Sequence, residues 1–120
     1  MAFPENVDAR LKCVKGDLTD KACVEAALGG DTGAVFHLAS VVSPPPGMSE
    51  ETLHAIDVGG TQAIVEAAVA NGVGQLIVTS SGAAYGYYPE NAEWIDEHDP
   101  LRGHARFAYA KHKQIGRASC

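Results

Sequence analysis

Long apolar runs are missing from this sequence, and with them any stretch that reads as a membrane span. Cysteine is sparse. Cys13, Cys23 and Cys120 stand far apart with no C-x-x-C pair, an odd set that reads as reduced thiols in a cytoplasm rather than a disulfide framework. Metal-ligand spacing is lacking too, since the five histidines at 37, 54, 98, 104 and 112 form no H-E-x-x-H and no Cys/His cluster. Basic residues are in deficit. Nine Lys and Arg against fifteen Asp and Glu leave a formal net charge of −6 with neutral histidines. That balance repels a phosphate backbone and argues against general nucleic-acid binding, but it allows one small anionic ligand held by backbone dipoles. The opening residues, MAFPENVDAR, have neither the basic region nor the apolar stretch of a secretory signal. The expectation is a soluble, cytoplasmic protein with no metal, no nucleic-acid partner and no membrane partner.

What is present is enough for one small domain. With 46% hydrophobic and 20% charged residues, the 120-residue chain has the composition of a folded protein and not of a disordered one. Three short apolar runs alternate with helical patterns. RLKCVK, residues 10–15, alternates and ends at the turn signal Gly16-Asp17, which predicts a first strand. Thr19 offers an N-cap for DKACVEAAL, and Gly29-Gly30 stops that helix. AVFHLA, residues 34–39, reads as a parallel strand covered on both faces. SPPPG, residues 43–47, breaks regular structure.

Ser49, with Glu50 and Glu51 in the first turn and Thr52 three residues on, predicts a helix start, and the helical pattern continues to Asn71-Gly72. QLIVT, residues 75–79, is the third strand candidate. Strands separated by helical crossovers imply a parallel α/β sheet, whose ligands gather at the carboxyl ends of the strands. Asp17, Ser40 and the pair Ser80-Ser81 fall at those ends.

Tyr109 and Lys113 lie four apart in FAYAKHKQI, which has helical character, so both side chains share one face about a turn apart. An ammonium beside a phenol favours the phenolate, making the tyrosine usable for proton transfer near neutrality, and a serine hydroxyl such as that of Ser81 can hold the reacting oxygen. A two-residue spacing by itself favours an exposed Tyr and Lys on an ordinary helix, since two residues match often by chance.

The order GDLTD, VFHLAS, DVGGTQAIVEAA, LIVTSSGAAYG and YAKHK resembles the extended short-chain dehydrogenase/reductase family, and within it the NAD-dependent epimerase/dehydratase branch. The resemblance runs from about residue 10 to 115. It implies that Asp17 meets the adenine amino group and Leu18 packs on the adenine ring. It places Leu38, Ala39 and Ser40 along the cofactor ribose and nicotinamide, with Thr79 also on the cofactor. Ser81 takes the position of the catalytic Ser/Thr, Tyr109 that of the acid/base, and Lys113 that of the residue holding the ribose hydroxyls. The implied chemistry is hydride exchange between nicotinamide C4 and a substrate carbon, with Tyr109 moving the hydroxyl proton and Ser81 steadying the oxygen.

Two departures from the family pattern stand out. Asp57 occupies the place of a usual Asn in DVGGT, exchanging a group that both donates and accepts for one that only accepts. No G-x-x-G-x-x-G strand-turn-helix is present to cradle a pyrophosphate, and the C-terminal substrate region has no counterpart. The chain is therefore expected to be a single partial Rossmann-type NAD(P)-binding α/β domain over residues 1–120, with three recognisable strands and flanking helices. The cofactor is NAD or NADP, with NAD favoured. The small-molecule substrate expected is a nucleotide sugar or another hydroxyl or carbonyl compound, and little activity is expected of the chain by itself. Exposed strand edges point to self-association into a homo-oligomer. The alternative is a non-catalytic dinucleotide-sensing or interaction protein that keeps the fold.

Overall fold

The computed structural model describes residues 10–118, so Cys120 and most of the opening decapeptide lie outside the described residues. Helix α1 spans Lys21–Leu28, strand β1 Ala34–His37, helix α2 Glu50–His54, helix α3 Gly60–Ala70, strand β2 Gln75–Val78 and helix α4 Ala108–Ala118. A wide π-helical turn, Ala55–Gly59, joins α2 to α3, and a single 3₁₀ turn, Gly82–Tyr85, follows β2. No described helix is long and apolar enough to cross a membrane.

β1 and β2 pair in parallel, with Val35 opposite Leu76 and His37 opposite Val78. Parallel strands need a long crossover, and here α2, the wide turn and α3 supply it. Ser49 caps α2 by accepting from the Thr52 N–H at 3.1 Å, and the helical path ends at Asn71 and Gly72, as the sequence predicts. The core lies between α1 and α3. Val24 and Leu28 pack on Ala63 and Ala67, with Leu18, Val35, Ile64 and Val73 around them. Alanines one turn apart on α3 let the two helices approach closely.

Three expectations are corrected. The predicted first strand is absent: residues 11–17 carry no regular structure, and Leu11 and Val14 are exposed. A strand needs a paired edge to be stable, and among the described residues β1 pairs only with β2, so RLKCVK has nothing to join. The N-cap of α1 is Asp20 and not Thr19. The Asp20 carboxylate accepts from the Ala22 N–H at 3.0 Å, while Thr19 is bound to Asp17. Finally, AVFHLA is covered on one face only, because Phe36 and Leu38 are both 64% exposed while His37 is buried.

Candidate active site

Both strands point the same way, so their carboxyl ends share one edge. Leu38, Ala39 and Ser40 leave β1 there, and Thr79, Ser80 and Ser81 leave β2. The Thr79 N–H and hydroxyl both donate to the His37 carbonyl, at 3.1 and 3.2 Å, which closes the sheet just past its last paired residues. Helix α4 comes to the same edge after an irregular stretch of more than twenty residues. Gly86 begins that stretch with φ +77°, a left-handed conformation, and a Cβ there would collide with the Tyr88 ring and the Arg102 carbonyl.

Lys113 extends from α4 and donates through Nζ to the Thr79 carbonyl at 2.8 Å. The same ammonium lies 5.7 Å from the centre of the Tyr109 ring, within the range of a cation–π contact. Tyr109 also packs near Phe107, ring centres 5.8 Å apart. A cavity of about 160 Å³ opens between the sheet and the helices, and Ala39, Ser40, Thr79, Ser80 and Lys113 line its rim.

Tyr109 does not line this cavity but a smaller hollow beside it, with Val41, Phe107 and His112, and the remaining predicted site residues sit apart from the cavity too. Ser81, extended at φ −150°, caps the 3₁₀ turn by accepting from the Ala83 N–H at 3.2 Å, and of the Ser80-Ser81 pair it is Ser80 that lines the cavity. Leu38 faces outward. Asp17 and Leu18 line a different hollow, near Val14 and Cys23. The Asp17 Oδ1 accepts from both the N–H and the hydroxyl of Thr19, at 2.8 and 2.7 Å. Those two bonds, the N–H first, hold this exposed carboxyl below its ordinary pKa. Leu18 lies against α3 at Gly60, where a Cβ would come within 2.6 Å of its Cδ2.

Sequence reasoning missed the buried polar groups beneath the rim. His37 Nε2 lies 3.0 Å from the Thr61 hydroxyl. That hydroxyl donates to the Asp57 carbonyl at 2.6 Å, so the His37 ring must be the donor to Thr61. Burial first, and the Lys113 charge second, lower the His37 pKa against an opposing pull from Asp57. Asp57, on the wide turn, accepts from the Val41 N–H at 2.9 Å and the Ser40 hydroxyl at 3.2 Å, and its other oxygen faces His112 Nδ1 at 3.2 Å. The departure from Asn at position 57 was the one sequence signal that pointed here. Away from this edge, Asp96, Glu97 and His98 bring potential ligand atoms within 4.8 Å of one another on an exposed turn, a cluster that histidine spacing did not suggest.

Parallel strands joined by a helical crossover, with a Tyr-x-x-x-Lys helix brought to their carboxyl edge, define a Rossmann-type α/β domain. The chain belongs to the NAD dependent epimerase/dehydratase family, whose model matches residues 1–120. It is 39% identical over 80 residues to D-erythronate dehydrogenase of Cupriavidus necator, which covers 66% of this chain and 25% of that protein. A short-chain dehydrogenase/reductase superfamily protein from Agrobacterium tumefaciens, solved with bound NAD, is similar with a TM-score of 0.69 at 32% identity, over 86% of this chain and 30% of the other. DesIV, a dTDP-glucose 4,6-dehydratase from Streptomyces venezuelae solved as a double mutant with NAD bound, gives 0.75 at 28% identity, over 92% of this chain and 33% of the other. The chain spans about a quarter of the length of the curated relatives it matches.

Proposed function

We propose that this chain carries the proton-transfer edge of an NAD(P)-dependent oxidoreductase of the epimerase/dehydratase type, acting at a hydroxyl or carbonyl carbon. The observation that carries this reading is Lys113, which is bound to the Thr79 carbonyl and poised over the Tyr109 ring at the carboxyl edge of the sheet. The polar set there fits the ribose and nicotinamide end of a dinucleotide: an ammonium and the Ser80 hydroxyl that can donate, the hydroxyls of Ser40 and Thr79 that already donate to Asp57 and to the His37 carbonyl and are left to accept, and the small side chain of Ala39 ring one opening. When bound, a nicotinamide supplies the hydride exchange. Tyr109 would move the hydroxyl proton, Ser81, whose hydroxyl accepts from the Ala83 N–H and is left to donate, would steady the substrate oxygen from beside Ser80, and Lys113 would hold the ribose hydroxyls and orient the phenol. NAD is favoured over NADP, supported by the NAD-bound Agrobacterium tumefaciens and Streptomyces venezuelae structures. The sequence contains no G-x-x-G-x-x-G, so these 120 residues by themselves are proposed to hold a dinucleotide weakly and to have little activity.

A nucleotide sugar is the leading substrate class, supported by the likeness to a dTDP-glucose 4,6-dehydratase. A second reading, a simpler hydroxy compound, is favoured by the 39% identity to D-erythronate dehydrogenase. The test supplies the complete protein with NAD or NADP and either dTDP-glucose or D-erythronate, following reduced nicotinamide and the sugar products. A protein that binds neither dinucleotide and turns over nothing would be a fold relative without this chemistry. Dinucleotide binding with no turnover of any alcohol or carbonyl would favour a sensing role.

A further inference from the structure

We propose that His112 is a positioning residue that, through Asp57, ties the helix bearing Tyr109 and Lys113 to the loop following β1. The inference rests on the reading of Tyr109 and Lys113 given above. Three segments distant in sequence converge on one carboxylate. Asp57 Oδ1 takes the Ser40 hydroxyl at 3.2 Å and the Val41 N–H at 2.9 Å, so it holds the loop. Asp57 Oδ2 lies 3.2 Å from His112 Nδ1, so it holds α4. The carboxylate is thus divided, one oxygen for each side of the cavity whose rim carries Ser40 and Lys113.

The charge and valence of the groups make the arrangement specific. An ionised carboxylate is acceptor-only, and all three groups around Asp57 can donate. An asparagine would present one oxygen and one NH₂, so either its NH₂ would face the donors of Ser40 and Val41, or His112 would have to turn an unprotonated Nδ1 toward it and leave an Nε2–H buried without a partner. His112 is the complement to Asp57. Its side chain is only 2% exposed, and donating from Nδ1 supplies the bond that Oδ2 needs in a buried setting. His112 Nε2 is itself buried and has no hydrogen-bond partner among the described residues, so what holds the ring by hydrogen bonding is Asp57. The His54 ring stands edge-on to it, centres 5.4 Å apart, and supplies packing. Because His112 directly precedes Lys113, fixing its ring fixes the helical phase that aims Lys113 at Thr79.

Nuclear magnetic resonance on this chain tests the link without cofactor. The imidazole nitrogen shifts of His112 are expected to show a proton on Nδ1; a neutral ring with its only proton on Nε2 overturns the proposal, and this holds even if a variant fails to fold. In His112→Leu, amide exchange at Val41 should rise at least about tenfold while Ala67, in the α1–α3 core, stays within about twofold. His112→Asn, which keeps a donor near the Nδ1 position, should restore most of the Val41 protection. Unchanged Val41 exchange, or Val41 and Ala67 rising together, shows a residue that merely packs or merely stabilises, and overturns the proposal. In the complete protein, His112→Leu should raise KM for the dinucleotide at least about tenfold and His112→Asn should stay within about threefold; equal KM values overturn it. The tautomer and the Val41 exchange stand apart from the chemistry assigned to Tyr109, which Tyr109→Phe turnover tests separately.

Discussion

The Lys113 ammonium reaches across from α4 to the Thr79 carbonyl at 2.8 Å, so the residue that lies over the Tyr109 ring also joins the helix to the end of β2. Two variants separate these duties. Tyr109→Phe removes only a hydroxyl, so turnover in the complete protein should fall by about 100-fold or more while dinucleotide affinity stays within about twofold. Lys113→Ala removes both the tie and the cation, so turnover and affinity should fall together. Near-normal turnover by Tyr109→Phe would mean the phenol is not the acid/base.

Asp17 offers a test of where the adenine end lies. If its carboxylate accepts the adenine amino group, NAD should bind more tightly than the hypoxanthine dinucleotide by about 1–3 kcal/mol, the cost of facing a carboxylate with a carbonyl. Asp17→Ala should erase that preference. Equal affinities, measured by calorimetry, would leave Asp17 as the turn residue that binds Thr19 and nothing more.

His37 predicts a pH dependence of stability. Its folded pKa lies below the ordinary value of 6.5 because burial and the nearby Lys113 charge disfavour the imidazolium. Below about 6.5 the unfolded chain binds a proton that the folded chain resists. The stability contributed by neutral His37 is therefore complete above that pH and is lost as pH falls through the folded pKa. Urea midpoints should drop between about pH 7.5 and 5.5. His37→Asn, less stable at the upper pH, should show a shallower drop over the same interval; an equally steep one would place the pH sensitivity elsewhere.

Gly60 sets a steric limit on α3. Alanine is normally better than glycine inside a helix by about 1 kcal/mol. Here a Cβ would fall 2.6–2.7 Å from Leu18 Cδ2 and Cγ, and such overpacking costs about 1–3 kcal/mol. Gly60→Ala should therefore lower stability on balance. In a Leu18→Ala background the same change should become neutral or stabilising, and a double-mutant cycle in urea would measure the reversal.

Local signals carried most of the fold. The Ser49 cap located the start of the helical path at α2, the glycine stops and the hydrophobic periodicity located α1, the end of α3, β1 and β2, and the spacing of Tyr109 and Lys113 placed them on one helix, where the structure has them. The alternation in RLKCVK was equally legible but misleading, because alternation records a preference for pairing and not the presence of a partner edge. The one-sided covering of Phe36 and Leu38 depends on the same missing neighbours. The polar ties were hidden for another reason. His112 and Asp57 are 55 positions apart and His37 and Thr61 are 24, and no local pattern links them. The Asp at position 57 was visible as an oddity, while its complement at 112 emerged only once α4 was placed against the wide turn.

That wide turn also works as a phase shifter. The Gly60 N–H bonds back to the Ala55 carbonyl five residues earlier, as well as to Ile56, so the winding between Ala55 and Gly59 holds one residue more than a regular helix would. Leu53, upstream of it, and Asp57, within it, are directed to α4; downstream, Ala63 and Ala67 are directed to α1. Removing that extra residue would restore even winding with both halves nearly in phase, whereas a second residue inserted into 55–59 could not be absorbed by the same ring and would rotate one half against the other by about 100°. This short segment should therefore tolerate changes of side chain at its exposed position, Ala55, far better than an insertion, and a library of one-residue insertions scored for soluble protein would show the dependence directly.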